Sequence, residues 1–274
     1  MRSIAIINQK GGVGKTTTAV NLAAALADEG QRVCVIDLDP QAHASLHLGL
    51  ALNADDPSIY DVLTGETKIS EVTQQVNDRL WVAPAHLDLA AAELELANEV
   101  GREVILRDKL VAEEQPFDVL ILDCPPSLGV LTLNALTTVK EIVLPLQPHF
   151  LALHGLSKLL RTIEIVTKRL NADLRLTGVV LCMYDSGTRL AAEVTHDVSE
   201  FFEAHAQGNS VWSDARIFEA RIRRNIRLAE APSFGKSIFD YAPTSNGAED
   251  YRQLGLELGQ LAVARAPRVL SAAG

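Results

Sequence analysis

Residues 4–8 (IAIIN) form an apolar strand-like run that opens directly into the glycine-rich stretch 8–18 (NQKGGVGKTTT). That stretch in turn opens into the alanine-rich helical segment KTTTAVNLAAALADEG. Strand, glycine loop and helix in this order are the context of a phosphate-binding loop. Gly11, Gly12 and Gly14, with Val13 between them, let backbone N–H groups converge on an anion because no Cβ blocks the approach. The helix N-terminus adds its partial positive charge. Lys15 then reaches the β- and γ-phosphates of a nucleotide, Thr16 ligates Mg2+ through its hydroxyl, and Thr17 serves the α-phosphate region. The generic loop pattern wants a glycine where Gln9 stands, and a second lysine, Lys10, precedes the paired glycines.

Short β-rich runs alternate with helical patterns along the rest of the chain. Strands are predicted at 4–8, 32–37, 80–84, 119–124, 141–147 and 176–183. Helices are predicted near 15–29, 87–98, 100–114, 128–138, 152–171, 189–205 and 247–264. Several strand runs are apolar at every position, as when both faces of a sheet are covered. The expected fold is therefore α/β, a mostly parallel twisted β-sheet flanked by helices on both faces, the P-loop NTPase fold. Residues 1–265 read as a single ATPase domain and 266–274 as a flexible tail.

Two acidic strand ends face the ligand edge of such a sheet. Residues 119–127 (VLILDCPPS) place Asp123 at the end of an apolar strand, where it would hold Mg2+ through water. Ser127 is positioned to cap the next helix. Asp37 and Asp39 end the run VIDLDPQA. His43 and His47 are four apart but lack the adjacent glutamate of a zinc protease motif, so they read as a solvated or packed pair. Cys34, Cys124 and Cys182 lie in apolar strand-like runs without metal-ligand spacing and read as buried free thiols of a cytoplasmic protein. No apolar run approaches the roughly 20 residues needed to span a bilayer.

Residues 10–17 match K-G-G-x-G-K-[ST]-T completely, and on that stretch the chain resembles the deviant Walker A ATPases. The resemblance implies that Lys10 crosses a dimer interface to the partner's ATP while Lys15 serves its own. Lys10 solvated in its own loop is the bland alternative. Residues 37–41 resemble the family's D-x-D-P-Q switch stretch. By that match Asp39 orients the attacking water, and Asp37 supports Lys15 or the Mg2+ shell. The next family position is commonly glycine and is Ala42 here. Within the family, LPLQPHFLALHGLSKLL and RRNIRLAEAPSFGKSI resemble segments of the ParA/Soj partition branch, with Arg223 replacing a usual proline. Met183 and Asn225 are read as adenine-pocket residues.

The chain carries a net charge of −10, which repels nucleic acid as a whole, yet residues 216–236 hold six basic residues against two glutamates. Such a local basic patch suits a phosphate backbone without base specificity. The resemblance implies a DNA contact at Arg227, with Arg224 as a neighbour and Arg189 standing in for a displaced family arginine. A solvated helix face, or arginines serving the nucleotide, is the competing reading of the cluster. The expected protein is a nucleoid-associated, cytoplasmic ATPase using ATP and Mg2+. It would form an ATP-bound homodimer, bind double-stranded DNA non-specifically, and hydrolyse ATP on stimulation by a ParB-like centromere-binding protein or cargo adaptor. The tail has two arginines and no bulky aromatic face, so membrane binding is not expected. The alternatives are a MinD-like membrane-surface positioning ATPase and a metabolic P-loop enzyme. The chain opens on its first strand, so an operator-binding helix-turn-helix is not expected.

Overall fold

The computed structural model describes residues 1–149, 152–205 and 211–265. The expected tail at 266–274 and Phe150 and Leu151 of the LPLQPHFLALHG segment lie outside the described residues. Eight strands form one sheet: β1 (Arg2–Ile6), β2 (Val33–Asp37), β3 (Gln74–Asn77), β4 (Leu80–Ala83), β5 (Val119–Asp123), β6 (Glu141–Leu146), β7 (Arg175–Tyr184) and β8 (Arg216–Arg223). Their order is β3-β4-β2-β5-β1-β6-β7-β8, parallel throughout except for the β3–β4 pair. The helices are α1 (Lys15–Asp28), α2 (His43–His47), α3 (Ile59–Thr64), α4 (Ile69–Val72), α5 (Leu89–Glu95), α6 (Ile105–Val111), α7 (Val130–Thr138), α8 (Ala152–Arg169), α9 (Arg189–His205), α10 (Ile226–Glu230), α11 (Ile238–Tyr241) and α12 (Asn246–Arg265).

The doubly apolar strands do what their pattern requires. Ile4 and Ile6 of β1 join Val33, Val35 and Ile121 in a core under α1 and α12, while Ala5 and Ile7 join Cys34, Ile36, Leu120 and Leu122 in the core of the opposite face. Each fully buried Ile or Leu contributes about 1.5–3 kcal/mol, so covering both faces is what holds the sheet between its helices. The alanine-rich α1 buries nearly its whole length and stops at Gly30, whose φ of +92° ends the helix in the left-handed region.

Sequence reasoning missed two strands. β3 is four residues of mostly polar side chains on an antiparallel edge. β8 was read for its arginines, and it forms the opposite edge of the sheet. The free edge of β8 is covered by α12. Glu257 accepts hydrogen bonds from the N–H groups of Glu219 and Ala220 (3.1 Å each), and Asp250 accepts from the N–H of Arg223 (2.9 Å). Carboxylates on an edge strand block its pairing with another chain. The expected cap at Ser127 is corrected: α7 starts at Val130 with Gly129 at its N-cap, and Ser127 instead offers its carbonyl to the Thr132 hydroxyl at 2.7 Å.

Candidate functional site

Register brings the acidic strand ends together. Asp123 at the end of β5 pairs with Ile6 of β1 on one side and with Asp37 of β2 on the other. The glycine loop leaves β1 at that same edge. Chain direction diverges here, since β1 is followed by β2 on one side while β5 is followed by β6 on the other, and ligands of open α/β sheets bind at such a point.

The loop is held by its ends. Asn8 donates from its amide to the Pro145 carbonyl at 2.7 Å and accepts from the Lys10 N–H at 3.0 Å. Val13 is buried and roots the middle of the loop. Gly14 is the N-cap of α1 with φ +93°, a conformation that strains any L residue, and α1 has no side-chain cap. Its first N–H groups are thus left for a ligand. The two lysines behave differently. Lys15 is buried, its ammonium 3.3 Å from the Lys10 carbonyl. Burial pulls its pKa down, opposed by the charges of Asp123 and Asp39. Lys10 is exposed at the mouth of the loop.

The three aspartates also differ. Asp37 is fully buried, and its oxygens accept from the Ser45 hydroxyl (2.7 Å), the Ser45 N–H (2.9 Å) and the Asp39 N–H (3.2 Å). Those bonds tie it to α2 rather than to Lys15. Burial pushes its pKa up and these partners oppose the shift. Asp39 stands on the cavity wall and accepts from the Gln41 N–H at 3.0 Å. Asp123 is fully buried and neither carboxylate oxygen has a hydrogen-bond partner. Burial drives its pKa well up, Asp37 adds to the rise, and Thr16 and Lys15 oppose it. An ionised buried carboxylate without partners is costly and calls for a cation. Asp123, with the Thr16 hydroxyl nearby, therefore fits a hard divalent ion with oxygen ligands.

A cavity of about 750 Å3 opens over this edge. Gly11, Gly12, Gly14, Lys15, Thr16 and Thr17 line one end with Asp39, and Cys182, Met183, Ile222, Arg223, Arg224, Asn225 and Tyr251 line the rest. The structure thus gathers Met183 and Asn225 to the loop's own cavity. Met183 has φ +50°, an uncommon value for a residue with a side chain. Asn225 caps α10, its side-chain oxygen accepting from the Arg227 N–H at 2.9 Å. Cys182 and Tyr251 were not foreseen as site residues. The Tyr251 hydroxyl lies 3.1 Å from that of Thr18 in α1, and Cys182 Sγ lies 3.7 Å from the same oxygen. All three cysteines are buried and free, and burial raises the Cys182 thiol to about 12.

The basic cluster is divided among elements and is not one helix face. Arg216, Arg221 and Arg223 belong to β8. Arg221 lies over the Tyr184 ring and donates to its hydroxyl at 2.7 Å. Arg227 lies in the first turn of α10 and pairs with Glu230 at 2.8 Å. Arg224 lines the cavity, and Arg189 starts α9 almost fully exposed, paired with Glu193 at 2.7 Å. His43 is exposed at the cavity rim. His47 is buried, which pulls its pKa to about 4 against the effect of the Lys236 backbone. Among the described residues no cluster of three His, Cys, Asp or Glu could hold a metal.

Ala42 has φ +53°, left-handed, at the N-cap of α2. That conformation costs an L residue about 1–2 kcal/mol. Ala42→Gly removes the strain but adds backbone freedom to the unfolded chain. The expected net is a gain of up to about 1 kcal/mol, or about 2–4 °C in Tm, measured by calorimetry.

A family model described as an AAA domain matches residues 1–176. The chain is 44% identical over 256 residues to the sporulation initiation inhibitor protein Soj of Bacillus subtilis, covering 93% of this chain and 97% of that protein. It is 43% identical over 268 residues to the chromosome partitioning protein ParA of Myxococcus xanthus, covering 97% and 91%. The chain belongs to the Soj/ParA family of chromosome-partitioning ATPases. Among solved structures, cobyrinic acid a,c-diamide synthase from Mycobacterium smegmatis, with a bound ATP analogue and magnesium, superposes with a TM-score of 0.80. It is 35% identical and covers 96% of each chain. This P-loop NTPase fold accounts for the eight-stranded sheet.

Proposed function

We propose that this Soj/ParA protein is an ATP-driven switch for DNA segregation. It dimerises around two ATP molecules, binds double-stranded DNA without sequence preference, and releases it on hydrolysis. The observation that carries the reading is the contrast in burial between the two lysines. Lys15 is buried beside the aspartates of its own site, whereas Lys10, five residues earlier, is exposed at the cavity mouth, free to meet a second subunit. Two facing triphosphates concentrate negative charge, and a lysine from each side offsets it. ATP that binds the dimer better than the monomer shifts the population to the dimer.

Within one site the loop N–H groups and Lys15 bind and orient the phosphates, so that little motion separates the bound state from the transition state. Thr16 and Asp123 would hold Mg2+, with Asp37 bracing α2 behind them, and the ion would supply positive charge to offset that of the phosphate oxygens. Asp39 holds the attacking water in line with the γ-phosphorus. Met183 and Asn225 serve the adenine end. The DNA surface is assigned to Arg227, Arg224 and Arg189, which have exposed side chains on an otherwise acidic chain. A ParB-like centromere-binding protein or cargo adaptor would stimulate hydrolysis, with the protein distributed over the nucleoid. No helix among the described residues is long and apolar enough to cross a membrane.

Solution mass measured with ATP and with ADP tests the switch. The wild type is expected to double its mass with ATP alone, and Lys10→Ala to lose at least about tenfold in dimerisation while still binding nucleotide. A monomer at saturating ATP would refute dimerisation. Mobility shift on DNA and pelleting with anionic vesicles, each with and without ATP, separate the DNA reading from the membrane one. Binding to lipid without binding to DNA would reverse it.

A further inference from the structure

The nucleotide cavity has a phosphate end built on one short stretch of chain and a far end built from three separate elements. A triphosphate seated on the glycine loop must send its base toward the far end, where Met183, Ile222, Ile226 and Leu228 form an apolar wall. Arg223, Arg224 and Asn225 are the polar residues beside that wall. Arg223 is the last residue of β8, and its guanidinium is clamped by Asp250 of α12. Nε donates to both carboxylate oxygens (2.9 and 3.2 Å) and Nη2 donates to Oδ1 (2.6 Å). Asp250 also accepts the Arg223 N–H. The carboxylate is nearly inaccessible, at 6%, while the arginine side chain keeps 46% of its exposure and faces the cavity. None of the described hydrogen bonds of Arg223 uses Nη1.

A bidentate pair fixes the plane of a guanidinium, and a fixed, weakly hydrated cationic plane suits the π-face or an acceptor atom of a heterocyclic base. The anchoring is shared with the phosphate end. Tyr251, next to Asp250 on α12, reaches the Thr18 hydroxyl in the helix that follows the glycine loop. One turn of α12 therefore braces both ends of the cavity.

We propose that Arg223, oriented by Asp250, contacts the base of the bound nucleoside triphosphate and sets the affinity for that base. The inference rests on the reading of this cavity as the ATP site. Asp250 is a positioning residue acting through Arg223.

The test compares ATP, which carries a base, with inorganic tripolyphosphate, which does not. Binding is measured by calorimetry on wild type, Arg223→Ala, Arg223→Lys and Asp250→Asn. Base-to-cation contacts of this kind are worth roughly five- to thirtyfold in affinity. Arg223→Ala is expected to weaken ATP by about tenfold and to leave tripolyphosphate within about twofold. In steady state its KM for ATP rises with little change in kcat, the mark of lost uniform binding. Arg223→Lys keeps a cation for Asp250, so it tests the point if the alanine variant folds poorly. It too should lose several-fold for ATP. Asp250→Asn should weaken ATP in the same sense through a loosened arginine. Equal losses for ATP and tripolyphosphate would make Arg223 a general electrostatic aid and overturn the proposal, as would unchanged ATP binding in both arginine variants. A wild type that binds tripolyphosphate but not ATP would overturn the nucleotide reading itself.

Discussion

Asp123→Asn is expected to make the nucleotide-free protein more stable and to cut Mg2+-dependent ATP hydrolysis at least about a hundredfold, the loss of several kcal/mol of charge stabilisation. Both effects come from one fact, a buried carboxylate whose oxygens make no well-formed hydrogen bond and whose neighbours Thr16 and Lys15 only partly offset its burial. The pH dependence has a definite sign. The folded-state pKa of Asp123 is raised by burial and by Asp37. Below the unfolded value of about 4 the group is protonated in both states and contributes nothing. Above it the unfolded chain releases the proton while the folded chain retains it. The protein then loses up to about 1.4 kcal/mol per pH unit until the folded pKa is reached. The stabilisation in the variant should therefore be absent near pH 4 and grow toward neutrality, to about 5 °C or more in Tm at pH 7. Saturating Mg2+ and nucleotide should narrow the gap by stabilising the wild type selectively. Thermal melts of both proteins from pH 4 to 8 measure this, and a Tm difference independent of pH would show that the carboxylate is not strained by burial.

Asp39→Ala should abolish hydrolysis without abolishing ATP binding. Asp39 lines the cavity, accepts the Gln41 N–H and contributes attraction to the Lys15 ammonium, so it faces the reacting end without forming the loop's cradle. Positioned proton acceptors and water-orienting groups contribute about 10²–10⁴-fold to a rate, and a loss in that range is expected in a single-turnover measurement. The ATP-bound dimer should accumulate as a consequence, visible as a stable doubled mass with ATP and a monomer with ADP. Hydrolysis at the wild-type rate would remove Asp39 from the mechanism. Because Asp37 also bonds the Asp39 N–H, a parallel Asp37→Ala variant separates the roles: its defect should include a loss of stability from the untied Ser45 contact.

The six strands that were legible in the sequence, β1, β2, β4, β5, β6 and β7, are apolar on both faces, because a sheet covered by helices on both sides leaves no polar face to hide the signal. β3 and β8 escaped because edge strands carry polar residues. In β8 the arginines drew attention to charge when Phe218 and Ile222 were the buried anchors. The same strand shows how a charge count can mislead. The excess of positive charge across 216–236 is real, but Arg223 is tied to Asp250 of α12, and Arg227 to Glu230 one helical turn on.

By itself the sequence determined the phosphate end of the site, since residues 10–17 are contiguous and a glycine loop running into a helix N-terminus turns its N–H groups toward an anion. It determined the fold class for the same reason, through patterns repeated within single elements. Only the tertiary structure decided which aspartate is left without a partner, because that depends on the register of β5 between β1 and β2 and on Ser45 reaching Asp37. It alone brought β7, β8 and α12 to the cavity, where Cys182, Arg223 and Tyr251 stand tens of residues apart in the chain. Local signals record what neighbouring residues must do together, and contacts between distant segments exist only once the chain has packed.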